Sequence, residues 1–401
     1  MENHSLITQG IHYVGVQDRR TQLFEGLWSL PDGVSYNSYL IVDEKIALVD
    51  SVEAGFFGQS LKRIKRVIGD RPIDYLIINH MEPDHSSSIA LLKKYYPDMI
   101  IVGNTRTFGM LEGFYGVEGE QVVVNMGDKL CLGSRTLEFY ITPMLHWPET
   151  MMTYDTASKS LFSGDAFGCF TALSGGFVDS QMEIEPYLQN AVRYYSNIVA
   201  KYGPQVQRAL KVLAKLDIEY LCTLHGPVWH EQIPFMLDLY NKISLCEAEE
   251  GVVIIYGSMY GNTEEMAEEI ARELSCNGVK KIKMHNVSTA SPSYMLADVY
   301  RYNGLIIGSP TYNAELYPGV EAMISRLKGR GLKNRYFGYF GSFSWAGTAV
   351  KHLCEDFAEK LKIKVVGAPI EMKQSMTEND RVEVARLAKE MADAIKVPLC
   401  D

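Results

Sequence analysis

Up to about Tyr240 the chain alternates short apolar runs with polar stretches. Ile11 to Val16, Tyr36 to Val42, Ile46 to Asp50, Thr136 to Thr142, Met151 to Tyr154 and Leu161 to Ser163 have strand character. Helical spacing shows in Ile89 to Tyr96 and in the long stretch from Pro186 to Leu216. This mixture predicts sheets covered by helices. After Glu247 Ala248 Glu249 Glu250 the pattern becomes a regular alternation of strand and helix, which places a domain boundary between residues 1–249 and 250–401. Val252 to Tyr256 is a near-continuous apolar run, as a parallel strand buried on both faces requires. Met266, Ile270 and Leu274 follow at helical spacing behind an acidic first turn. Leu305 to Ile307, Tyr336 to Phe340 and Lys364 to Val366 supply further strands, and Ala349 to Leu361 and Arg381 to Ile395 further helices. Such a βαβα succession predicts a doubly wound parallel sheet.

Composition narrows the function classes. With 401 residues, 47% of them hydrophobic, two or three globular domains are expected. A net charge of −10, without clustered Lys and Arg, argues against nucleic acid and against an anionic membrane surface as partners. Met1 to Ser5 lacks the basic and apolar regions of a signal peptide, and no apolar run reaches the roughly 18 residues of a membrane span, so the expected compartment is the cytoplasm. The seven cysteines (131, 169, 222, 246, 276, 354 and 400) contain no Cys-x-x-Cys pair and read as reduced thiols.

His80 Met81 Glu82 Pro83 Asp84 His85 pack four potential metal ligands into one short segment. The segment follows the strand-like Tyr75 Leu76 Ile77 Ile78 and precedes Ser86 Ser87 Ser88, which read as helix-start residues. Two imidazoles and two carboxylates suit zinc, iron or manganese better than calcium or soft ions. Three more candidates stand where strands give way to loops: His146 in Leu145 His146 Trp147 Pro148, Asp165 in Ser163 Gly164 Asp165, and His225 before Gly226. Seven side chains exceed the needs of one metal, so two metals sharing a carboxylate is the natural count. His4, His12, His230, His285 and His352 fit no ligand pattern and read as structural or solvated.

In the second half, Ser258 Met259 Tyr260 Gly261 Asn262 Thr263 joins the first strand to its helix. Small hydroxylated residues and a helix N-terminus can wrap a phosphate without any Lys or Arg. There is no Gly-Lys-Ser/Thr and no Gly-x-Gly-x-x-Gly here, which counts against a nucleoside triphosphatase or a nicotinamide site. Two further loops, Ser309 Pro310 Thr311 Tyr312 Asn313 and Ser342 Phe343 Ser344 Trp345 Ala346 Gly347, each bring an aromatic to a strand end, where Tyr312 and Trp345 could flank a planar isoalloxazine.

These three loops resemble those of flavodoxin, with Tyr260 standing where flavodoxins more often have Thr or Ser. The ligand order of the first half resembles the metallo-β-lactamase fold, in which His-x-His-x-Asp-His is followed by separate His, Asp and His; Asp50 matches its early aspartate. Glu82, however, stands where the zinc hydrolases have a second His, and an anionic oxygen ligand shifts preference from zinc toward iron. Together the halves resemble the flavodiiron proteins (A-type flavoproteins) over essentially the whole chain. The resemblance implies an α/β architecture, an N-terminal metallo-β-lactamase-like αββα sandwich joined to a C-terminal flavodoxin-like sheet, with FMN and two irons as cofactors. It assigns His80, Glu82 and His146 to one iron, Asp84, His85 and His225 to the other, and Asp165 to a bridge. It also places Tyr194 at the substrate pocket and Trp147 near the flavin, although both could equally be packing.

The implied activity is reduction of dioxygen to water, of nitric oxide to nitrous oxide, or both. Four electrons are needed for the first, which two ferrous ions and one reduced flavin jointly provide, and two for the second. The chain ends at Leu399 Cys400 Asp401 without appended rubredoxin-like Cys pairs, so an external donor is expected: rubredoxin, a reductase, or a reduced deazaflavin (F420). The resemblance further implies a head-to-tail homodimer, which could pair into a tetramer, with each flavin beside the partner's irons. A dinuclear zinc hydrolase with an accessory flavodoxin domain is the alternative that Glu82 argues against; an electron carrier with an empty metal site is another.

Overall fold

The computed structural model describes residues 5–361 and 363–399; His4 and Cys400 lie outside them. The chain divides into two compact units, one ending at Asn241 and one beginning at Lys242.

The first unit is built on two mixed sheets. One has the spatial order Leu6–Thr8, Ile11–Tyr13, Tyr39–Val42, Ile46–Val49, Tyr75–Ile77, Ile100–Gly103, Gln121–Val123. Its pairings are antiparallel as far as Ile46–Val49 and parallel beyond it. The other runs Lys129–Cys131, Thr136–Ile141, Met151–Asp155, Ser160–Phe162, Tyr220–Cys222. The sheets meet through Tyr39 and Phe162, with ring centroids 5.3 Å apart, and Thr153 Oγ1 donates to Asn79 Oδ1 at 2.8 Å. Helix Phe57–Ile68 turns Phe57, Leu61, Ile64 and Ile68 onto Leu40, Leu48, Leu76 and Ile78 of the first sheet, the 3.6-residue period meeting the two-residue period of the strands. This is the expected αββα sandwich.

Two local features go beyond the sequence pattern. Of Ser86, Ser87 and Ser88, Ser88 holds the N-cap position of the next helix. The ligand segment itself forms the helical turn Pro83–Ser86, with proline in its first turn, and Ser88 precedes Ile89–Tyr95 without a side-chain cap bond. The helical stretch from Pro186 to Leu216 is interrupted. It breaks into Glu185–Tyr194, a π-helical turn Tyr195–Val199, a 3-10 turn and Gly203–Leu213. Pro204 has no N–H for a continuous ladder and instead opens the last of these helices.

The second unit is a doubly wound sheet in the order Ile282–Asn286, Glu249–Tyr256, Tyr302–Tyr312, Tyr336–Phe343, Lys364–Val365, with Ile370–Lys373 also pairing with Tyr336–Phe343. These pairings are all parallel. Met266, Ile270 and Leu274 of helix Asn262–Cys276 are fully buried in the core with Val252, Ile254 and Ile306, as their spacing predicts. Strand order reverses beside Glu249–Tyr256, so a crevice opens outside its carboxyl end. Two of the expected loops are partly strand: Tyr302–Tyr312 continues into a short antiparallel hairpin with Glu315–Leu316, and Tyr336–Phe343 extends through Ser342.

Candidate metal centre and flavin cleft

All seven expected ligands of the first unit converge at strand ends. His80 to His85 follow Tyr75–Ile77, His146 follows Thr136–Ile141 across a cis Leu145–His146 peptide, Asp165 follows Ser160–Phe162, and His225 follows Tyr220–Cys222. Gly226, at φ +80°, makes the turn after His225, and a Cβ there would lie 2.5 Å from Cys169 Cβ; only glycine fits both demands. Potential ligand atoms fall into two groups, His80, Glu82, His146 and Asp165, and Asp84, His85 and His225, each within 4.8 Å. Glu82 Oε2 is 3.2 Å from the Nε2 of both His80 and His146. Asp84 Oδ2 is 3.2 Å from His85 Nε2 and 3.3 Å from His225 Nε2. Asp165 spans the groups: Oδ2 lies 3.0 Å from His146 Nε2, and Oδ1 lies 3.4 and 3.6 Å from the Nε2 atoms of His85 and His225.

The donor set fits a pair of hard or borderline cations. Among the described residues, both carboxylate oxygens of Asp84 and Oδ1 of Asp165 are buried without a hydrogen-bond partner, a costly arrangement for anionic atoms. His225 Nδ1 donates to Ser35 O at 2.7 Å, so its Nε2 presents a lone pair, and that atom sits 2.9 Å from His85 Nε2. Burial alone would lower the imidazole pKa values, but the carboxylates outweigh it: Asp84 and Asp165 push His85 up to about 10, and Asp165 and Glu82 push His146 up to about 9. Burial also opposes ionisation of Asp84 and Asp165, yet the histidines hold both below the usual carboxylate range. Protons here stand where cations would.

Supporting residues complete the site. Asp50, at φ 52°, accepts the backbone N–H groups of Asn79 (2.8 Å) and His80 (3.2 Å) and fixes the start of the ligand segment; burial, against these bonds, pushes it up to about 6. Glu149 Oε1 accepts from His80 Nδ1 at 2.9 Å and from Met81 N at 2.8 Å. Burial would raise the Glu149 carboxyl, but the His80 bond and charge hold it below its usual range. Tyr194 is fully buried, its ring 5.5 Å from that of His225 and its hydroxyl without a hydrogen-bond partner among the described residues. Burial, then the charges of Asp165 and Glu82, hold that phenol protonated. Trp147 is half-buried, 5.4 Å from the His80 ring.

Sequence reasoning missed Glu149, Phe24 and Tyr36. Phe24 sets its ring 5.2 Å from that of His225, and the Tyr36 ring stands 6.2 and 6.0 Å from those of His85 and His225. Only the position of Glu149, three residues beyond His146, could have drawn notice. His12, His230, His285 and His352 do bond elsewhere, to Ser5, Glu219 O, Asp298 and Asp356. The described cysteines are free thiols.

In the second unit a cleft of about 580 Å³ opens at the reversal of strand order. Ser258, Met259, Tyr260, Asn262 and Thr263 line it from the first loop, Pro310, Thr311, Tyr312 and Asn313 from the second, and Ser342, Phe343, Ser344, Trp345 and Ala346 from the third. Gly261 and Gly347 are not lining residues; they shape the loops. Gly261 takes φ +95° ahead of helix Asn262–Cys276, and a Cβ on Gly347 would strike Glu371 Oε1. Ala314 and Gln374, which sequence reasoning missed, also line the cleft. Gln374 follows Ile370–Lys373, a strand the apolar pattern does not reveal. Thr263 and Ser342 share a 2.8 Å hydroxyl bond at the floor, while Tyr260 and Trp345 are each 91% exposed at the mouth. Hydroxyls and a helix N-terminus below, with uncovered aromatic faces above, fit a phosphate carrying a planar ring system.

A two-metal histidine–carboxylate cluster on one unit and a flavodoxin cleft on the other define a flavin- and metal-dependent oxidoreductase. Residues 34–226 match the family model described as ODP family beta lactamase, and residues 254–391 match flavodoxin. The chain is 33% identical to rubredoxin-oxygen oxidoreductase of Megalodesulfovibrio gigas over 98% of both chains, and 30% identical to nitric oxide reductase of Moorella thermoacetica over 90% of this chain and 91% of that one. It superposes on the solved rubredoxin oxygen:oxidoreductase of Desulfovibrio gigas with a TM-score of 0.93, at 31% identity and 98% coverage of each. The chain belongs to the flavodiiron proteins.

Proposed function

We propose that this protein reduces dioxygen to water, nitric oxide to nitrous oxide, or both, using two irons and FMN. The observation that carries this reading is Asp165, whose two oxygens face the two ligand groups, with Glu82 supplying a carboxylate to the first. His80, Glu82 and His146 would hold one iron, Asp84, His85 and His225 the other, and Asp165 both. When bound, the iron pair supplies electrons to a diatomic ligand and the flavin replenishes them. Ser258 to Thr263 would cradle the FMN phosphate, and Tyr312 and Trp345 would flank its ring. Tyr194 keeps its proton and stands close to Asp165, from where its hydroxyl would donate a hydrogen bond to a substrate oxygen. Phe24 and Phe170, both buried, set their rings 6.5 and 5.0 Å from that of Tyr194 and would limit bulk water beside its hydroxyl. Glu82 serves as ligand and as the group that disfavours zinc.

The electron donor in this reading is external: rubredoxin, as the name of the Megalodesulfovibrio relative suggests, a reductase, or a reduced deazaflavin. The working unit is a head-to-tail homodimer in the cytoplasm; among the described residues no helix is long and apolar enough to cross a membrane. Metal and flavin analysis of purified protein tests the assignment. Two irons and one FMN per chain are expected; zinc in place of iron, with hydrolysis of esters, would overturn it.

A further inference from the structure

The two ligand groups are matched in their direct donors but not in what stands behind them. Each has two imidazoles and one carboxylate of its own, with Asp165 shared. Behind the first, His80 Nδ1 donates to a carboxylate, Glu149 Oε1, at 2.9 Å. Behind the second, His225 Nδ1 donates to a neutral carbonyl, Ser35 O, at 2.7 Å, and the buried Nδ1 of His85 has no partner among the described residues. Glu149 is fully buried, and among the described residues its second oxygen has no hydrogen-bond partner, so its charge acts through a low-dielectric interior.

We infer that Glu149 is a positioning residue that fixes His80 with its proton on Nδ1, strengthens it as a donor, and makes the metal held by His80, Glu82 and His146 the more electron-rich of the pair. The inference rests on the two-iron reading above. A negative charge hydrogen-bonded behind a ligating imidazole raises its basicity and stabilises the higher oxidation state of the metal it binds. With two irons bound, that charge would leave the site formed by Asp84, His85 and His225 the easier of the two to reduce. The asymmetry comes from the fold: Glu149 stands two residues before strand Met151–Asp155, and Asn104 Nδ2 donates to its backbone carbonyl.

Iron-loaded wild type, E149Q and E149D provide the test. In E149Q, one of the two irons should pass to a chelator about 10- to 100-fold more readily while the other is unaffected. In a redox titration followed by electron paramagnetic resonance, the two one-electron potentials of the pair should also draw together, so less of the half-reduced pair accumulates, and E149D should restore part of the gap. A merely structural Glu149 would loosen both irons equally and leave the gap unchanged, which would overturn the inference. So would an E149Q protein indistinguishable from a fully loaded wild type. If E149Q retains less than two irons, E149D alone decides by the same criteria. Wild type that binds no iron would instead overturn the functional reading, and this inference with it.

Discussion

At His80 two carboxylates act on one imidazole from opposite sides, Glu82 at Nε2 and Glu149 at Nδ1. Glu82 was legible in the sequence because it interrupts a known order of ligands; Glu149 was not, because its role exists only once the fold brings residues 80 and 149 together. The same holds for Phe24 and Tyr36, whose contacts with His225 arise from distant hairpins. Replacing Glu82 by His should reverse the metal preference, so that protein reconstituted from equal iron and zinc carries mainly zinc by elemental analysis. The raised histidines set a pH dependence. With His146 at about 9 and His85 at about 10, metal-free protein at neutral pH keeps protons that a cation must displace. Iron affinity, measured by chelator competition, should rise with pH and level off above about 10. Stability runs the other way. A histidine raised from 6.5 contributes stability fully present below 6.5 and lost as pH rises through its folded value, so metal-free protein should melt at a lower temperature near pH 10 than at neutral pH.

Elements with one strong period were legible, and elements shaped by tertiary demands were not. Helix Asn262–Cys276 carried its apolar stripe in plain view, whereas Ile370–Lys373 alternates buried Ile370 and Met372 with exposed Glu371 and Lys373 and reads as polar. The π-helical turn Tyr195–Val199, next to Tyr194, has no sequence signature at all. Gly261 tests the flavin loop. At φ +95°, with no atom within 4 Å of where a Cβ would stand, Gly261→Ala meets backbone strain and no clash. The strain of about 1–2 kcal/mol should drive the loop from its binding shape and weaken FMN affinity, measured by fluorescence titration, about 5- to 30-fold. Arg335 tests the frame beneath it. Fully buried, it donates to the carbonyls of Val299 (2.8 Å), Tyr300 (2.8 Å) and Cys246 (2.9 Å), closing the end of helix Pro292–Arg301. Arg335→Met should orphan those carbonyls and lower the stability of the second unit by roughly 3 kcal/mol in urea unfolding.

For the whole molecule, the change from mixed strands to regular βαβα alternation marks two units in the sequence itself, because a parallel sheet covered on both faces imposes a different sequence pattern from a sandwich. Subunit arrangement lies beyond one chain's pattern and is a matter for complementation. If each flavin serves the partner's irons, mixed dimers of an iron-deficient variant and a flavin-deficient variant should recover activity that neither has alone, and failure to recover it would contradict the head-to-tail dimer. The central claim is that iron and flavin on this chain together reduce a diatomic gas. The most direct measurement is anaerobic, full reduction of the iron- and FMN-loaded protein followed by addition of limiting dioxygen or nitric oxide, with gas and product quantified. The account predicts rapid uptake, with one dioxygen consumed per reduced chain and no hydrogen peroxide released, or nitrous oxide formed from nitric oxide. Loaded, reduced protein that consumes neither gas would contradict it.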